Sequence, residues 1–174
     1  KRYFPTKGLK TNISYTIYTN LHTNTAYSSL AAQVTKIFPI TLNTFIIPTI
    51  YGRFIFNDGI PFMYSNVIGG EGYNPHYEQQ IPFSGLTHTE STLKLLGNAQ
   101  IQVRHKFHEK QYLTLSGNYA IHQNQFSNFL QGKKIYGTSI GYGYDSPLGP
   151  IEGFICYSNR TNKLGFYLNI GFGF

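Results

Sequence analysis

The sequence predicts an all-β fold, an antiparallel transmembrane β-barrel unit of eight strands. Three observations predict it. Apolar residues alternate with small or polar ones along most of the chain, which is the period of a strand with two different faces. Only 12% of the 174 residues are charged while 17% are aromatic, against roughly 25% charge in an ordinary soluble domain. The connections between the alternating runs are short at one end and longer at the other, the pattern of barrels that cross a membrane. A helical membrane protein is excluded. Mean hydropathy is slightly negative, and apolar runs such as "FIIP" fall far short of the ~20 residues a spanning helix needs.

Taken in order, the first run is Leu9 to Thr19, "LKTNISYTIYT", and the second Tyr27 to Phe38. The third, Thr44 to Asn57, is apolar on both faces and contains Pro48. A proline removes a ladder donor, so a bulge or local break is expected there. The fourth is Leu93 to Phe107, the fifth Tyr112 to His122, and the sixth Ile135 to Asp145. The seventh is Ile151 to Ser158, and the eighth runs from Leu164 to Phe174. Several reach the ~9–11 residues of a tilted membrane strand. The joins Pro39 to Asn43, His108 to Gln111 and Ser146 to Pro150 are short. The joins Asn20 to Ala26, Asp58 to Thr92, Gln123 to Lys134 and Asn159 to Lys163 are longer or more polar. At about 35 residues the second of these is too long for a plain connection. It is expected to fold over or into the barrel mouth, anchored by Tyr73 and Phe83.

The two faces differ in kind. On the fourth strand Ala99, Ile101, Val103 and Phe107 oppose Asn98, Gln100, Gln102, Arg104 and Lys106. On the sixth, Tyr136, Thr138, Ile140, Tyr142 and Tyr144 oppose Gly137, Ser139, Gly141 and Gly143. On the eighth, Phe166, Leu168, Ile170, Phe172 and Phe174 oppose Tyr167, Asn169, Gly171 and Gly173. Small polar residues suit a narrow lumen, and the greasy stripe suits lipid. Arg53, Asn98, Gln100, Gln102, Arg104 and Glu152 are therefore expected to face the lumen. Arg53, Arg104, Lys106 and Glu152 are expected to pair with one another there.

The formal charge is +7, but the lysines and arginines are scattered rather than gathered into the patch nucleic acid requires. Anionic lipid headgroups fit that scatter better. Cys156 is the only cysteine, so no disulfide forms within the chain, and it reads as a small packed inner residue. No signal peptide is visible ahead of "RYFPTKG"; either one was removed or the chain is a piece of something larger.

Two stretches near the end, "YDSPLGPIEGFICYS" and "FYLNIGFGF", resemble the final strands of the BamA/TamA superfamily of outer-membrane barrels, also called bacterial surface antigens. The resemblance implies that Ser146, Pro147, Leu148, Gly149 and Pro150 form a tight periplasmic turn. It implies that Phe166, Leu168, Ile170, Phe172 and Phe174 are the signal read by the barrel assembly machinery. "RYFPTKG" looks like the family's periplasmic turn opening the second half of the barrel. "PFMYSNVIGGEG" looks like the approach to its sixth extracellular loop, and "NAQIQVRHKF" like the strand after it. The likeness covers the C-terminal eight of a usual sixteen strands. "GGEGYNPHYEQQIPFSGL" looks most like barrels fused behind patatin-like phospholipases in Bacteroidota. One departure matters. The family's loop carries an Arg-Gly-aromatic tip and its partner strand an Asp. Here "IPFSGL", Ile81 to Leu86, has no Arg, and "LTLSGNYA", Leu113 to Ala120, has no Asp. The lock of an insertase or secretion pore is therefore not supported.

Catalytic and metal motifs fare poorly. "HKFHE" offers His105, His108 and Glu109, but residues three apart on a strand point to opposite faces. "GGEG" lacks the helix that would cradle phosphate behind it. Asp145 is a turn residue. A patatin-type serine sits in a "GxSxG" elbow, and no such match is expected in this chain. A phospholipase site on the outer wall would need a His and a Ser facing lipid, and His122 and Ser127 are the nearest candidates.

The sequence thus reads as one barrel domain over residues 1–174 with a long extracellular loop at about 58–92, integral to a bacterial outer membrane. The expected role is a membrane anchor, non-catalytic and without cofactors. The alternatives are the anchor of a patatin-like lipase and a translocation or insertion pore. The expected partners are outer-membrane lipid or lipopolysaccharide and the assembly machinery, with a homodimer left open and no nucleic acid. The eight strands either close alone or form half of a sixteen-stranded barrel.

Overall fold

A computed structural model describes residues 4, 6–21, 24–70, 79–86, 88–147 and 149–171. In chain order the strands are β1 (Gly8–Asn20), β2 (Thr25–Pro39), β3 (Thr44–Ile55), three short ones, β4 (Asn66–Ile68), β5 (Gln80–Ile81) and β6 (Glu90–Thr92), then β7 (Leu95–His108), β8 (Gln111–Gln123), β9 (Lys133–Ser146), β10 (Gly149–Ser158) and β11 (Leu164–Ile170). The eight long strands form one antiparallel meander in the order β1-β2-β3-β7-β8-β9-β10-β11. The fold is the β-barrel architecture the alternation predicts. The sheet is open: among the described residues β1 and β11 do not pair.

Alternation divides this sheet as the sequence suggested. The outward face carries an apolar belt across all eight strands, from Ile13 and Ile50 to Ile101, Leu115, Ile140, Ile155 and Leu168. Ile13 is 71% exposed and Ile170 69%. Such a belt is a liability in water and is what hydrocarbon requires. The buried core lies on the opposite face. There Ile81, Phe83 and Leu86 pack with Ile68 against Leu96, Ala120 and Ile135 of β7, β8 and β9.

The structure bears on several local expectations. Residues 147–148 alone connect β9 to β10, so Ser146 closes one strand while Gly149 and Pro150 open the next. The chain reverses there with the Gly149 φ at +111°, and Ser146 Oγ donates to the Gly149 carbonyl. The eighth run pairs as far as Ile170, with Gly171 beyond it at φ +98°; its expected end at Phe174 lies outside the described residues. At Pro48 the expected local break is found, without a bulge. The β2–β3 ladder keeps its register but skips the pairs opposite Pro48 and Ile47, while the β3–β7 ladder runs through. The register shift lies elsewhere, between Lys106 and His108 on the β7–β8 ladder. Within the described residues of the long connection 56–94, β4 pairs parallel with β5 and antiparallel with β6.

Candidate functional site

The inner face of the sheet is a docking surface for the connection 56–94. Its base is held by Arg53. Alternation on β3 points Arg53 inward, where it is 5% exposed. Its Nη1 donates to Asn66 Oδ1 at 3.0 Å, to the Ser65 carbonyl at 3.3 Å and to the Tyr64 carbonyl at 3.4 Å. Its Nη2 donates to Ser29 Oγ at 3.0 Å. Asn66 passes the grip on, because its Nδ2 donates to the Leu93 and Lys94 carbonyls at 2.7 and 2.9 Å. One guanidinium therefore ties the outgoing limb of the connection to the sheet, and one amide ties that limb to the returning one. The planar fork of arginine suits such multi-acceptor clamping. Tyr64 also stacks on Tyr18, centroids 4.3 Å apart, and Lys94 forms an ion pair with Asp58.

The tip is held by packing and hydroxyls. Phe83 and Leu86 are fully buried and Ser84 is 1% exposed. Ser84 Oγ shares hydrogen bonds with Ser116 Oγ of β8 and Ser139 Oγ of β9, each at 3.3 Å, and those two hydroxyls lie 2.5 Å apart. Beside them the Ser84 carbonyl rests over Gly137: a Cβ there would stand 2.0 Å from that oxygen. Gly85 has φ +83°, and a Cβ on it would lie 2.3 Å from the Tyr157 carbonyl carbon of β10. Only glycine meets both demands. The Gly85 carbonyl then accepts from Thr161 Oγ1 at 3.3 Å.

The glycines of β9 form the floor on which these groups lie. Gly137 carries the Ser84 carbonyl, the Phe154 ring covers Gly141, and Phe4 lies over Gly143. Phe4 stacks on Tyr112, centroids 4.2 Å apart, with the Arg104 guanidinium 4.9 Å from its own ring.

All six residues expected to face the lumen lie on this inner side. Arg53 and Asn98 are buried; Gln100, Gln102, Arg104 and Glu152 are half-buried. The expected mutual pairing of the charges is corrected for Arg53, whereas Arg104 and Glu152 do face each other electrostatically, without direct contact. Arg53 binds neutral acceptors of the connection. Arg104 and Glu152 line one cavity of about 250 Å³ below the tip, yet the ion pairs among the described residues are Lys94–Asp58 and Arg160–Glu90. Phe166, Leu168 and Ile170 are exposed on the outward face; Phe172 and Phe174, like Leu148 and Tyr73, lie outside the described residues.

The remaining motifs have structural roles. Thr44 Oγ1 and His105 Nδ1 are 3.0 Å apart across the β3–β7 pair. Among the described residues no three His, Cys, Asp or Glu side chains converge as a metal site. Cys156 is buried on the inner face, its thiol directed at the Gly165 carbonyl. His122 lies on the inner face of β8, not toward lipid, and its Nδ1 accepts from the Leu93 amide at 3.3 Å. Ser127 is in the exposed connection 124–132. The letters G-x-S-x-G do occur, from Gly137 to Gly141, against the expectation of no such match. They lie inside β9 with no helix behind them, and Ser139 is 4% exposed with serine partners and no His.

Sequence reasoning missed the serine cluster and the small three-stranded sheet. A signal for the first was present. "IPFSGL" and "LTLSGNYA" are the stretches matched to the family's Arg-bearing loop and Asp-bearing strand, and they meet here through Ser84 and Ser116. None of the curated proteins compared matches the chain. The family model described as the OMP85 superfamily matches residues 1–174. An antiparallel sheet with a lipid-ready belt and a lumenal loop accords with that match, and the chain belongs to the OMP85 superfamily of outer-membrane β-barrel proteins.

Proposed function

We propose that this chain is a non-catalytic membrane-anchoring barrel unit whose lumen is filled by its own long connection. The observation that carries the reading is the docked tip, with Phe83, Ser84 and Leu86 sealed against β8 and β9. Serine hydroxyls and close glycine contacts hold it, with the Arg160–Glu90 ion pair beside it. A barrel that passes polypeptide would have to release this tip. The patatin-like resemblance supports a narrower form, in which the barrel anchors a lipase domain encoded upstream.

Closure follows from the same plug. A barrel of eight strands encloses only enough room for its own side chains. Here the inner face holds a connection with three strands of its own. Open edges do not persist in hydrocarbon. We therefore place this sheet as part of a wider barrel, closed by further strands beyond the edges of β1 and β11.

The test uses the intact protein in outer membranes. It should resist alkaline carbonate extraction, and replacing 58–92 by a short Gly-Ser linker should keep it inserted while admitting large dyes through the lumen. Extraction by carbonate would remove the anchor reading. A deletion that leaves dye permeability unchanged would remove the plug.

A further inference from the structure

The connection between β8 and β9, residues 124–132, folds back over the outward face of the sheet. The Phe129 ring lies over Gly97 of β7, where a Cβ would stand 2.9 Å from it. Gly97 shares the outward side with Ala99 and Ile101. The Phe126 ring reaches one strand further and packs on Phe54 of β3, centroids 4.3 Å apart. Phe126 is still 65% exposed and Leu130 75%, a liability if the connection stood in water. Its backbone suits a drier setting. The Phe129, Gln131 and Gly132 amides donate to the Phe126, Asn128 and Phe129 carbonyls, so fewer groups are left bare at a lipid boundary.

The level in the membrane follows from the strands beneath. Tyr119 and Tyr136 pair across β8 and β9 on the outward side, 42% and 51% exposed. Such rings mark the edge of the hydrocarbon. Lys134 is the next outward residue of β9, about 7 Å nearer the connection, at the height of the headgroups. It pairs with Ile121, which pairs with Gly97, so Lys134 and the Phe129 ring share one level of the wall. The two-residue connection 147–148 lies at the other end of β9. Short turns of such barrels face the periplasm and longer loops the outside, so 124–132 meets the outer leaflet.

Charge here has one sign. Lys133, Lys134 and Lys163 are exposed at this end. Among the described residues the carboxylates at this end are Asp58 and Glu90, each already in an ion pair. Residues 123–132 carry no charge. Their exposed polar groups are the amides of Asn124, Gln125, Asn128 and Gln131 and the Ser127 hydroxyl. Amides and hydroxyls suit sugar hydroxyls, an ammonium suits phosphate, and exposed Phe and Leu suit acyl chains.

We propose that the connection 124–132 and Lys134 form a site on the outer wall for one phosphorylated glycolipid of the outer leaflet. Its phosphate meets Lys134, and its acyl chains lie along Phe126 and Leu130. The site rests on the reading of the chain as a membrane-anchoring barrel. The intact protein is reconstituted into phosphatidylcholine vesicles containing diphosphoryl lipid A or phosphatidylglycerol, and insertion is scored separately by the heat-dependent gel shift of a folded barrel. A nitroxide on Phe126→Cys, in a Cys156→Ser background, should collide with oxygen rather than with a water-soluble nickel chelate, as one on Ile140→Cys does. Native mass spectrometry should find one lipid A retained in preference to phosphatidylglycerol. Lys134→Glu and Phe126→Ser should each lower that retention several-fold, Lys134→Arg should keep it, and Lys110→Glu, at the other end of the sheet, should leave it unchanged. Inserted protein overturns the proposal and leaves the anchor reading standing if its residue 126 label meets the chelate, or is shielded by a second copy of the chain. Equal retention of both lipids, or retention indifferent to Lys134→Glu, does the same. Failure to insert removes both.

Discussion

Gly137→Val should lift the plug tip off its floor. The new Cβ would stand 2.0 Å from the Ser84 carbonyl oxygen and 3.1 Å from the Tyr157 carbonyl oxygen, and both obstacles are backbone. Reaching ordinary contact at about 3.4 Å requires a displacement of roughly 1.4 Å, more than close-packed interiors absorb without loss. Both Ser84 hydroxyl contacts, already at 3.3 Å, would pass beyond hydrogen-bond range. Full exposure of Phe83 and Leu86 would cost about 3–6 kcal/mol; a partial lift, in which the rings keep some contact, should cost about 1–3 kcal/mol. Thr138→Val is the control, because Thr138 is the adjacent exposed outward residue and should be neutral. The assay is limited proteolysis of the intact protein in detergent, combined with disulfide trapping of Ser84→Cys with Ser139→Cys in a Cys156→Ser background. Gly137→Val should expose cleavage sites within 79–90 and abolish the trapped species. Undiminished trapping with full protection would refute the docking geometry.

Ile140→Arg, midway along β9, should cost about 2–4 kcal/mol of barrel stability; Ile170→Arg, opposite Ile151 beside the β9–β10 turn, should cost less, and Asn169→Arg should act through crowding of the inner face. A lipid-phase label that reaches residue 169 and spares 170 would reverse the faces. Arg53→Met should cost about 1.5–3 kcal/mol, the range for hydrogen bonds to a charged group, and should open residues 62–66 to protease. Arg53→Lys should not restore protection, since an ammonium cannot span the same acceptors; full rescue by lysine would show that only charge matters there. The chain should hydrolyse no phospholipid or short-chain ester, and turnover that vanishes on His122→Ala would defeat the non-catalytic reading.

The outward face was legible because lipid imposes a simple rule on every second residue. From Ile13 to Ile170 the rule needs no partner to be known, and strand limits came within a few residues wherever it held. Both faces of the β3 run were apolar, so alternation could not orient it. Its inward side is set by what it buries, with Phe45 and Ile47 under 7% exposed and Arg53 gripping the connection. The plug was illegible for a related reason. β4, β5 and β6 are too short for a period to show, and they pair with each other across many residues. The serine cluster depends on three segments meeting, which periodicity within one segment cannot foretell. Phe4 is an isolated ring whose partners, Tyr112 and Arg104, lie far along the chain.

The composition of β9 joins these two kinds of information. Its outward residues, Tyr136, Ile140 and Tyr142, are 51%, 47% and 45% exposed, and that side alone would be satisfied by any lumenal residue small enough for a narrow barrel. But Gly137, Ser139, Gly141 and Gly143 are not interchangeable fillers. Gly137 receives a backbone carbonyl, Ser139 a hydroxyl, Gly141 the Phe154 ring and Gly143 Phe4. Glycine inside a strand weakens it, so four small residues in alternation would be a poor strand by themselves. Each is covered by a group from elsewhere, which restores the packing the missing side chains would have given. The strand and its covering are therefore stable together, and the same stripe that fits a lumen also fixes which loop segment can lie in it. A loop tip docked on glycine and hydroxyl meets its floor through uncharged groups, while Arg160 pairs with Glu90 beside it, so salt should loosen only the ionic part of its attachment.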